Sequence, residues 1–326
     1  MSVVAAVAST TVHVVTDASE PPFPGERAVI TIGVYDGLHL GHQAVIGEVI
    51  RRATATGHRS AVVTFDRHPA EVVRPESAPE LLTDHEQRLE LLETTGIDAA
   101  VVLPFDEAQS NESAMSFIER VLVGCLSTKL IVVGDDFHFG RNREGNVGLL
   151  REVGTTFGFE VAPIVLVPRA DGVDEPVSST AIRRALAGGN VEMAAVMLTR
   201  PFEARGTVVR GDQRGRLLGF PTANVEVPNR VCLPADGVYA GWYERPDGIV
   251  YPCAINLGRR PTFYEHADSS LLEAHLIGFT GELYGEQAKV RFTNFLRSER
   301  KFEGVEALAQ QLRTDVDHAE KLLGVT

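Results

Sequence analysis

Cysteine is scarce: Cys125, Cys232 and Cys253 are all there are in 326 residues, and no two are close in sequence. An odd, scattered set without a Cys-x-x-Cys pair excludes a disulfide framework and fits reduced thiols in the cytoplasm. Positive charge is also short, with 31 Lys and Arg against 44 Asp and Glu, a formal net charge of -13. That balance argues against a broad nucleic-acid-binding face, although a local basic pocket for a small anion stays open. No apolar run approaches the ~20 residues of a membrane helix. The chain has no Gly-x-x-x-x-Gly-Lys-Ser/Thr, so a P-loop is excluded. Internal repeats and low-complexity tracts are absent as well. The first eight residues lack the basic start and the length of a signal peptide. Residues 1–23, closing on Pro21-Pro22-Phe23, are expected to be a loosely held leader.

What is present is ordinary globular material, 44% hydrophobic and 23% charged. At this length two domains are expected. In the first half, strand-like and helix-like runs alternate. Ala28 to Gly33, Ser60 to Phe65, Ala99 to Leu103, Leu130 to Val133 and Glu160 to Val167 read as strands. Gln43 to Ala55, Asp84 to Thr95, Ser113 to Cys125 and Gly145 to Phe157 read as helices. Alternation of this kind predicts parallel βαβ units, with the ligand beyond the carboxyl ends of the strands at a topological switch point. Two short helices follow, Ser179 to Ala187 and Val191 to Leu198. From Arg200-Pro201 onward the texture changes to short β-type runs broken by Gly and Pro. Gly206 to Arg210, Val238 to Tyr243, Val250 to Asn256, Leu271 to Leu276 and Ala288 to Phe295 predict a small antiparallel barrel, with a final helix over Val305 to Leu323.

The densest motif is Gly33-Val-Tyr35-Asp36-Gly37-Leu-His39-Leu-Gly41-His42, where the first of those strands hands over to a helix. A helix N-terminus offers free N–H donors and partial positive charge, a ready place for phosphate. Imidazoles three apart near the first turn reach one ligand together. A zinc pair remains an alternative, but no third ligand is placed by spacing. Ser178-Ser179-Thr180-Ala-Ile-Arg183 opens a second helix with hydroxyls and a guanidinium suited to outer phosphates; capping alone would explain the hydroxyls. Asp66 and His68 follow one strand end, and Asp136 and Phe137 follow another. Phe137 also fits as a packing residue.

The second dense motif runs from Gly206 through Gly211, Gly215, Arg216, Gly219 and Pro221 to Thr222 and Asn224. Thr222 and Asn224 would share a face of an extended segment, their Cα atoms about 6.7 Å apart. Their oxygens suit Mg²⁺ that keeps water and phosphate ligands, and equally suit a β-turn bonding its own backbone. In Leu271-Leu-Glu273-Ala-His275-Leu276, Glu273 and His275 share one face. A carboxylate there serves either as a general base on a hydroxyl or as part of a solvated strand face.

Taken in order, these motifs resemble the bifunctional riboflavin kinase/FMN adenylyltransferases of bacteria, the FAD synthetase family. Asn256-Leu-Gly258-Arg-Arg-Pro261-Thr262, Leu283-Tyr284-Gly285 and Leu296-Arg297-Ser-Glu299 add to the match. Arg67, Thr199 and Gly278 depart from the usual pattern, Thr199 standing where Gly is common. The resemblance implies a Rossmann-like nucleotidyltransferase domain over residues 24–187 and a flavokinase-like barrel over 199–325. It implies phosphorylation of riboflavin to FMN, then adenylylation of FMN to FAD, with ATP as co-substrate and Mg²⁺ as cofactor. Glu273 would be the kinase base, with Tyr284 and Arg297 beside the flavin. Gly211, Gly215, Arg216, Gly219, Pro221, Thr222 and Asn224 would hold the kinase ATP, and Thr222 with Asn224 the metal. Gly33, Tyr35, Asp36, His39, Gly41, His42, Ser179, Thr180 and Arg183 would hold the adenylyltransferase ATP, with His39 and His42 catalytic. Asp66, His68, Asp136 and Phe137 would meet the flavin there. The expected partners are riboflavin, FMN, FAD and ATP, without nucleic acid or membrane, and a homo-oligomer is left open. Retention of only one activity, or flavin binding without catalysis, is the alternative.

Overall fold

A computed structural model describes residues 12–164, 167–211, 214–259 and 270–325. The chain divides into two units, one of residues up to 79 plus 84–177 and one of 80–83 plus the residues from 178 on.

In the first unit a parallel sheet is built from β1 (His13–Val15), β2 (Ala28–Ile32), β3 (Arg59–Phe65), β4 (Ala99–Leu103), β5 (Leu130–Val133) and β8 (Glu160–Pro163), in the order β1-β4-β3-β2-β5-β8. A hairpin, β6 (His138–Phe139) with β7 (Gly145–Asn146), follows β5. The helices are α1 (Leu40–Thr56), α2 (Ala70–Val73), α3 (His85–Glu93), α4 (Glu107–Ser110), α5 (Ala114–Phe117) and α6 (Val147–Phe157). The strands are near-continuous Ala, Val and Ile because both faces are covered. Ile30, Val63, Val101 and Ile131 pack on one side with Ile118 and Leu122. Their neighbours Val29, Val62, Val102 and Val132 pack on the other with Ile46, Val49 and Leu92.

The chain moves from β2 to β3 and β4 in one direction and then returns to β5 and β8 on the other side of β2. The switch point is therefore at β2 and β5, and the loop after β2 lies at its mouth. The segments after β3 and β5 open at the same carboxyl edge of the sheet, because all three strands are parallel.

Three expectations change here. Residues 13–15 are not part of a loose leader: they form the edge strand β1, registered His13 with Ala99 through Val15 with Val101, and Val12, Val15 and Ala18 are buried. The helix over 113–125 begins as α5 and continues as a π-helix, Ile118–Cys125. The last strand stops at Pro163 rather than Val167.

In the second unit, α7 (Ser179–Ala187) and α8 (Val191–Leu198) precede a closed antiparallel barrel. Its strands are β9 (Phe202–Val209), β10 (Ala223–Glu226), β11 (Gly237–Glu244), β12 (Val250–Arg259), β13 (Ser270–Leu276) and β14 (Gln287–Arg297), with the one-turn α9 (Arg214–Leu217) before β10. The strand order is β10-β13-β12-β11-β14-β9, and β9 closes onto β10. Closure removes the open edges that a six-stranded sheet would otherwise expose. The amphipathic α10 (Val305–Leu323) packs on β11, β12 and β14. The segment 80–83 joins this unit through Leu81, which bridges to Val231.

Candidate active sites

The first site is a tight turn. Between β2 and α1 the backbone passes through left-handed conformations at Tyr35 (φ 56°), Gly37 (φ 82°) and Leu38 (φ 37°). His39 then caps α1: its Nδ1 accepts the N–H of His42 at 3.3 Å. An acceptor Nδ1 requires the ring proton to sit on Nε2, so neutral His39 presents Nε2–H as a donor. The two imidazoles stack with centroids 3.6 Å apart and planes 18° apart. The Nδ1 of His42 is buried without a hydrogen-bond partner among the described residues. Burial, and then the neighbouring His39, hold its pKa well below the usual 6.5, so this ring is neutral. Gly41 makes the pairing fit, since a Cβ there would lie 3.1 Å from the His39 ring and 3.2 Å from the Val177 carbonyl.

Other residues expected at this site are placed less directly. Tyr35 is in the core, its hydroxyl donating to Thr31 Oγ1 at 2.8 Å and its ring lying under Gly33. Asp36 is likewise buried. After β3, Asp66 accepts the N–H of Phe105 at 2.8 Å, and His68 Nδ1 accepts that of Ala70 at 3.1 Å. Asp66 thus ties its loop to the segment after β4, and His68 holds its own loop. After β5, Asp136 is exposed, whereas Phe137 packs on the core and stacks on Phe139 with centroids 5.5 Å apart. Ser179, Thr180 and Arg183 belong to α7 in the second unit. There the capping hydroxyl is Ser178, and Arg183 Nε donates to the Glu80 carbonyl at 2.6 Å.

The second site is set by barrel register. Glu273 on β13 lies opposite Asn224 on β10 and Asn256 on β12. Asn256 lies opposite Val238, and Val238 opposite Arg297. Directly opposed residues in antiparallel strands share a face. One row therefore brings Asn224, Glu273, Asn256, Val238 and Arg297 together, and all five line a cavity of about 770 Å³. Its walls are largely apolar, from Leu218, Phe220, Ile255 and Leu271 on the barrel side to Leu308, Leu312 and Val316 of α10. A second cavity of about 260 Å³ is lined by Arg216, Pro221, Thr280, Gly281 and Tyr284 among others. Thr222 and Asn224 line both cavities. Gly211 lets Asn224 in, because a Cβ there would lie 2.5 Å from its Oδ1.

The remaining barrel candidates sort between these cavities. Tyr284 faces the smaller one, under the Arg210 guanidinium at 5.4 Å, rather than the larger one with Glu273. Gly215 lines the larger cavity. Arg297 borders that cavity with its charge clasped by buried Asp315, Nε to Oδ1 at 2.9 Å and the terminal nitrogen to Oδ2 at 2.7 Å. Residues 260–269, which include Pro261 and Thr262, lie outside the described residues.

Two residues here had no assigned role in the sequence. Asn256 hydrogen-bonds the Glu299 carboxylate. Burial and then the nearby Asp236 raise the pKa of Glu299, while Asn256 and Arg297 oppose that rise. Both lie inside the quoted motifs, but only the register sets Asn256 opposite Glu273, and Glu299 joins through Asn256 and the shared cavity wall.

Comparison with known proteins agrees with this geometry. Residues 24–181 match the family model described as FAD synthetase, and residues 198–323 match that described as riboflavin kinase. The bifunctional riboflavin kinase/FMN adenylyltransferase of Bacillus subtilis is 36% identical over 295 residues, 90% of this chain and 92% of its own length. That of Pseudomonas fluorescens is 38% identical over 294 residues, covering 90% and 92%. That of Escherichia coli K12 is 36% identical over 307 residues, covering 93% and 95%. A crystal structure named as a macrolide-efflux protein from Streptococcus pneumoniae superposes with a TM-score of 0.82 at 28% identity, over 95% of this chain and 99% of its own. Matched over nearly the whole length of its relatives and carrying both family domains in order, the chain belongs to the bifunctional riboflavin kinase/FMN adenylyltransferase family.

Proposed function

We propose that the row of residues around Glu273 transfers a phosphoryl group and the stacked histidines transfer an adenylyl group, so that one chain converts riboflavin to FMN and FMN to FAD. The domain bounds 24–187 and 199–325 are supported by the matched stretches 24–181 and 198–323. The observation that carries the kinase assignment is the wall of Thr222 and Asn224 common to the two cavities. The larger, apolar cavity suits the flavin ring system, and its volume is in the range of small-molecule sites. The smaller cavity, with Arg216 and the hydroxyls of Thr222 and Thr280, suits the phosphates of ATP. Tyr284 then belongs with the nucleotide rather than the flavin.

In the kinase step the terminal ribityl hydroxyl attacks the γ-phosphorus. The new P–O bond forms as the bond to ADP breaks, and the Glu273 carboxylate takes the hydroxyl proton. Asn224 and Asn256 flank that carboxylate in the same row and hold the reacting oxygen near it. Among the described residues no three His, Cys, Asp or Glu side chains gather to hold a metal by themselves. The hydroxyl of Thr222 and the amide of Asn224 instead fit a Mg²⁺ that keeps phosphate and water ligands. When bound it would neutralise charge on the β and γ phosphates.

In the adenylyl step a phosphate oxygen of FMN attacks the α-phosphorus of ATP, and the α–β bridging bond breaks to release pyrophosphate. No covalent nucleophile is needed. His39 offers Nε2–H, and the free N–H groups of the first turn of α1 stabilise charge on the transferring group. Ser179, Thr180 and Arg183 serve the outer phosphates. Asp66, His68 and Asp136 act through the shape of the loops at the flavin end. No described helix is long and apolar enough to cross a membrane. The three buried thiols, none in a disulfide, support a place in the cytoplasm.

The test is a coupled assay on riboflavin and ATP that follows FMN and FAD separately. Glu273→Gln should abolish FMN formation and leave the adenylylation of supplied FMN intact. His39→Ala with His42→Ala should do the reverse. Equal loss of both steps in either variant would refute the assignment of two separate sites.

A further inference from the structure

Helix α3 carries a buried charge that the two reactions do not use. Asp84 caps it by accepting the N–H of Gln87 at 2.7 Å. One turn in, Arg88 is only 2% exposed. One terminal nitrogen of its guanidinium donates to the Val34 carbonyl at 3.3 Å. The other donates to the carbonyls of Phe65 at 2.5 Å and Asp66 at 3.3 Å and lies 3.2 Å from His85 Nδ1. The Nε is buried without a hydrogen-bond partner among the described residues. Thr64 Oγ1 also donates to the Val34 carbonyl, at 3.2 Å.

These acceptors are not random backbone. Val34 is the second residue of the turn that delivers His39 and His42. Phe65 and Asp66 end β3 and begin the loop that carries His68. Carbonyls at the ends of neighbouring parallel strands have no further ladder partner, and a planar guanidinium with several fixed donors can bridge them where a lysine ammonium cannot. Asp36, Asp66, Asp84 and Glu71 supply the negative charge that offsets burial of the cation.

We propose that Arg88 is a positioning residue for adenylyl transfer: by clamping Val34 to Phe65 and Asp66 it fixes the histidine turn relative to the loop after β3. The proposal rests on the reading of His39 and His42 as the adenylyl-transfer site. A misplacement of about 1 Å at a reacting centre costs up to about a hundredfold in rate.

The experiment uses the full-length chain with Arg88→Met, Arg88→Lys and the His39→Ala/His42→Ala variant. Arg88→Met should lower kcat for FAD formation from FMN by between about tenfold and about a hundredfold. Its riboflavin kinase rate should stay within about twofold, because that site belongs to the other unit and shares no partner with Arg88. The imidazole NMR signals of His39 and His42 should move in Arg88→Met and return part of the way in Arg88→Lys. Unchanged FAD formation in Arg88→Met, with the double-histidine variant inactive, would overturn the proposal and leave the site reading standing. Slower FAD formation with unmoved imidazole signals and a lower melting temperature would also overturn it, leaving Arg88 a scaffold residue. Full FAD formation by the double-histidine variant would remove the site reading itself, and the proposal with it.

Discussion

A histidine that caps a helix through Nδ1 and stacks on a second histidine constrains the charge of both. In His42, burial and the His39 neighbour push the folded pKa below the usual 6.5. The unfolded chain therefore binds this proton more readily than the folded one. The stability tied to neutral His42 is complete above about pH 6.5 and is lost as the pH falls below it. Urea unfolding at pH 7.5 and 5.5 should show the wild type losing more on acidification than His42→Phe, which has no proton to take up. Equal losses would mean that the ring titrates normally. The kinase site makes a steric prediction instead. A methyl at Gly211 would lie 2.5 Å from Asn224 Oδ1. Gly211→Ala should therefore displace the amide and cut FMN formation by about tenfold or more, while adenylylation of FMN in the same sample is unchanged. His39, His42, Thr222, Asn224 and Glu273 could be picked out in the sequence because each sits in a short segment whose spacing already suggests chemistry. Asn256 and Glu299 could not be given roles, because the pairing of β12 with β13 sets Asn256 opposite Glu273 and the path after β14 brings Glu299 to Asn256. Arg88 was hidden for a further reason: an arginine on an amphipathic helix reads as a solvated charge until the loops that cover it are known.

Elements differ in how much of themselves they write into the sequence. The bounds of α7, α8 and α10 agree with the periodic pattern to the residue, because each has a clear apolar face and a stop signal. β1 left no such trace: three residues carry too little alternation, and its place is decided by pairing with β4. The barrel strands β11, β12 and β14 run longer than their apolar cores because ladder hydrogen bonds continue past the last buried side chain. The switch point at β2 was expected from parallel βαβ alternation, but the strand order itself was not. The end of α8 supports a separate prediction. Thr199 closes that helix in a left-handed conformation, φ 63°, and its hydroxyl donates to the Leu198 carbonyl at 2.6 Å. A β-branched residue pays about 1–2 kcal/mol to sit there, and glycine does not. The lost side-chain hydrogen bond, about 1 kcal/mol, returns part of that gain. Thr199→Gly should still raise the melting temperature of the barrel unit by a few degrees, read by calorimetry. A fall would show that the hydroxyl bond outweighs the strain.

At the scale of the whole molecule, each assigned kinase group lies within one unit. Both barrel cavities are lined wholly by residues between 208 and 316. The stacked histidines, by contrast, stand at the start of α1 in the other unit. FMN is the product of the first site and the substrate of the second, and the two sites share no assigned group. If FMN passes through solution, the two activities need not share a polypeptide. Equimolar Glu273→Gln and His39→Ala/His42→Ala proteins, each blocked at one step, should then together make FAD from riboflavin and ATP. Free FMN should accumulate first, and FAD should follow after a lag that shortens as total protein is raised. Chromatographic separation of the three flavins over time reads both quantities. A mixture that makes FMN but no FAD, while the Glu273→Gln protein alone still adenylylates added FMN, would mean that the intermediate is handed over within one chain.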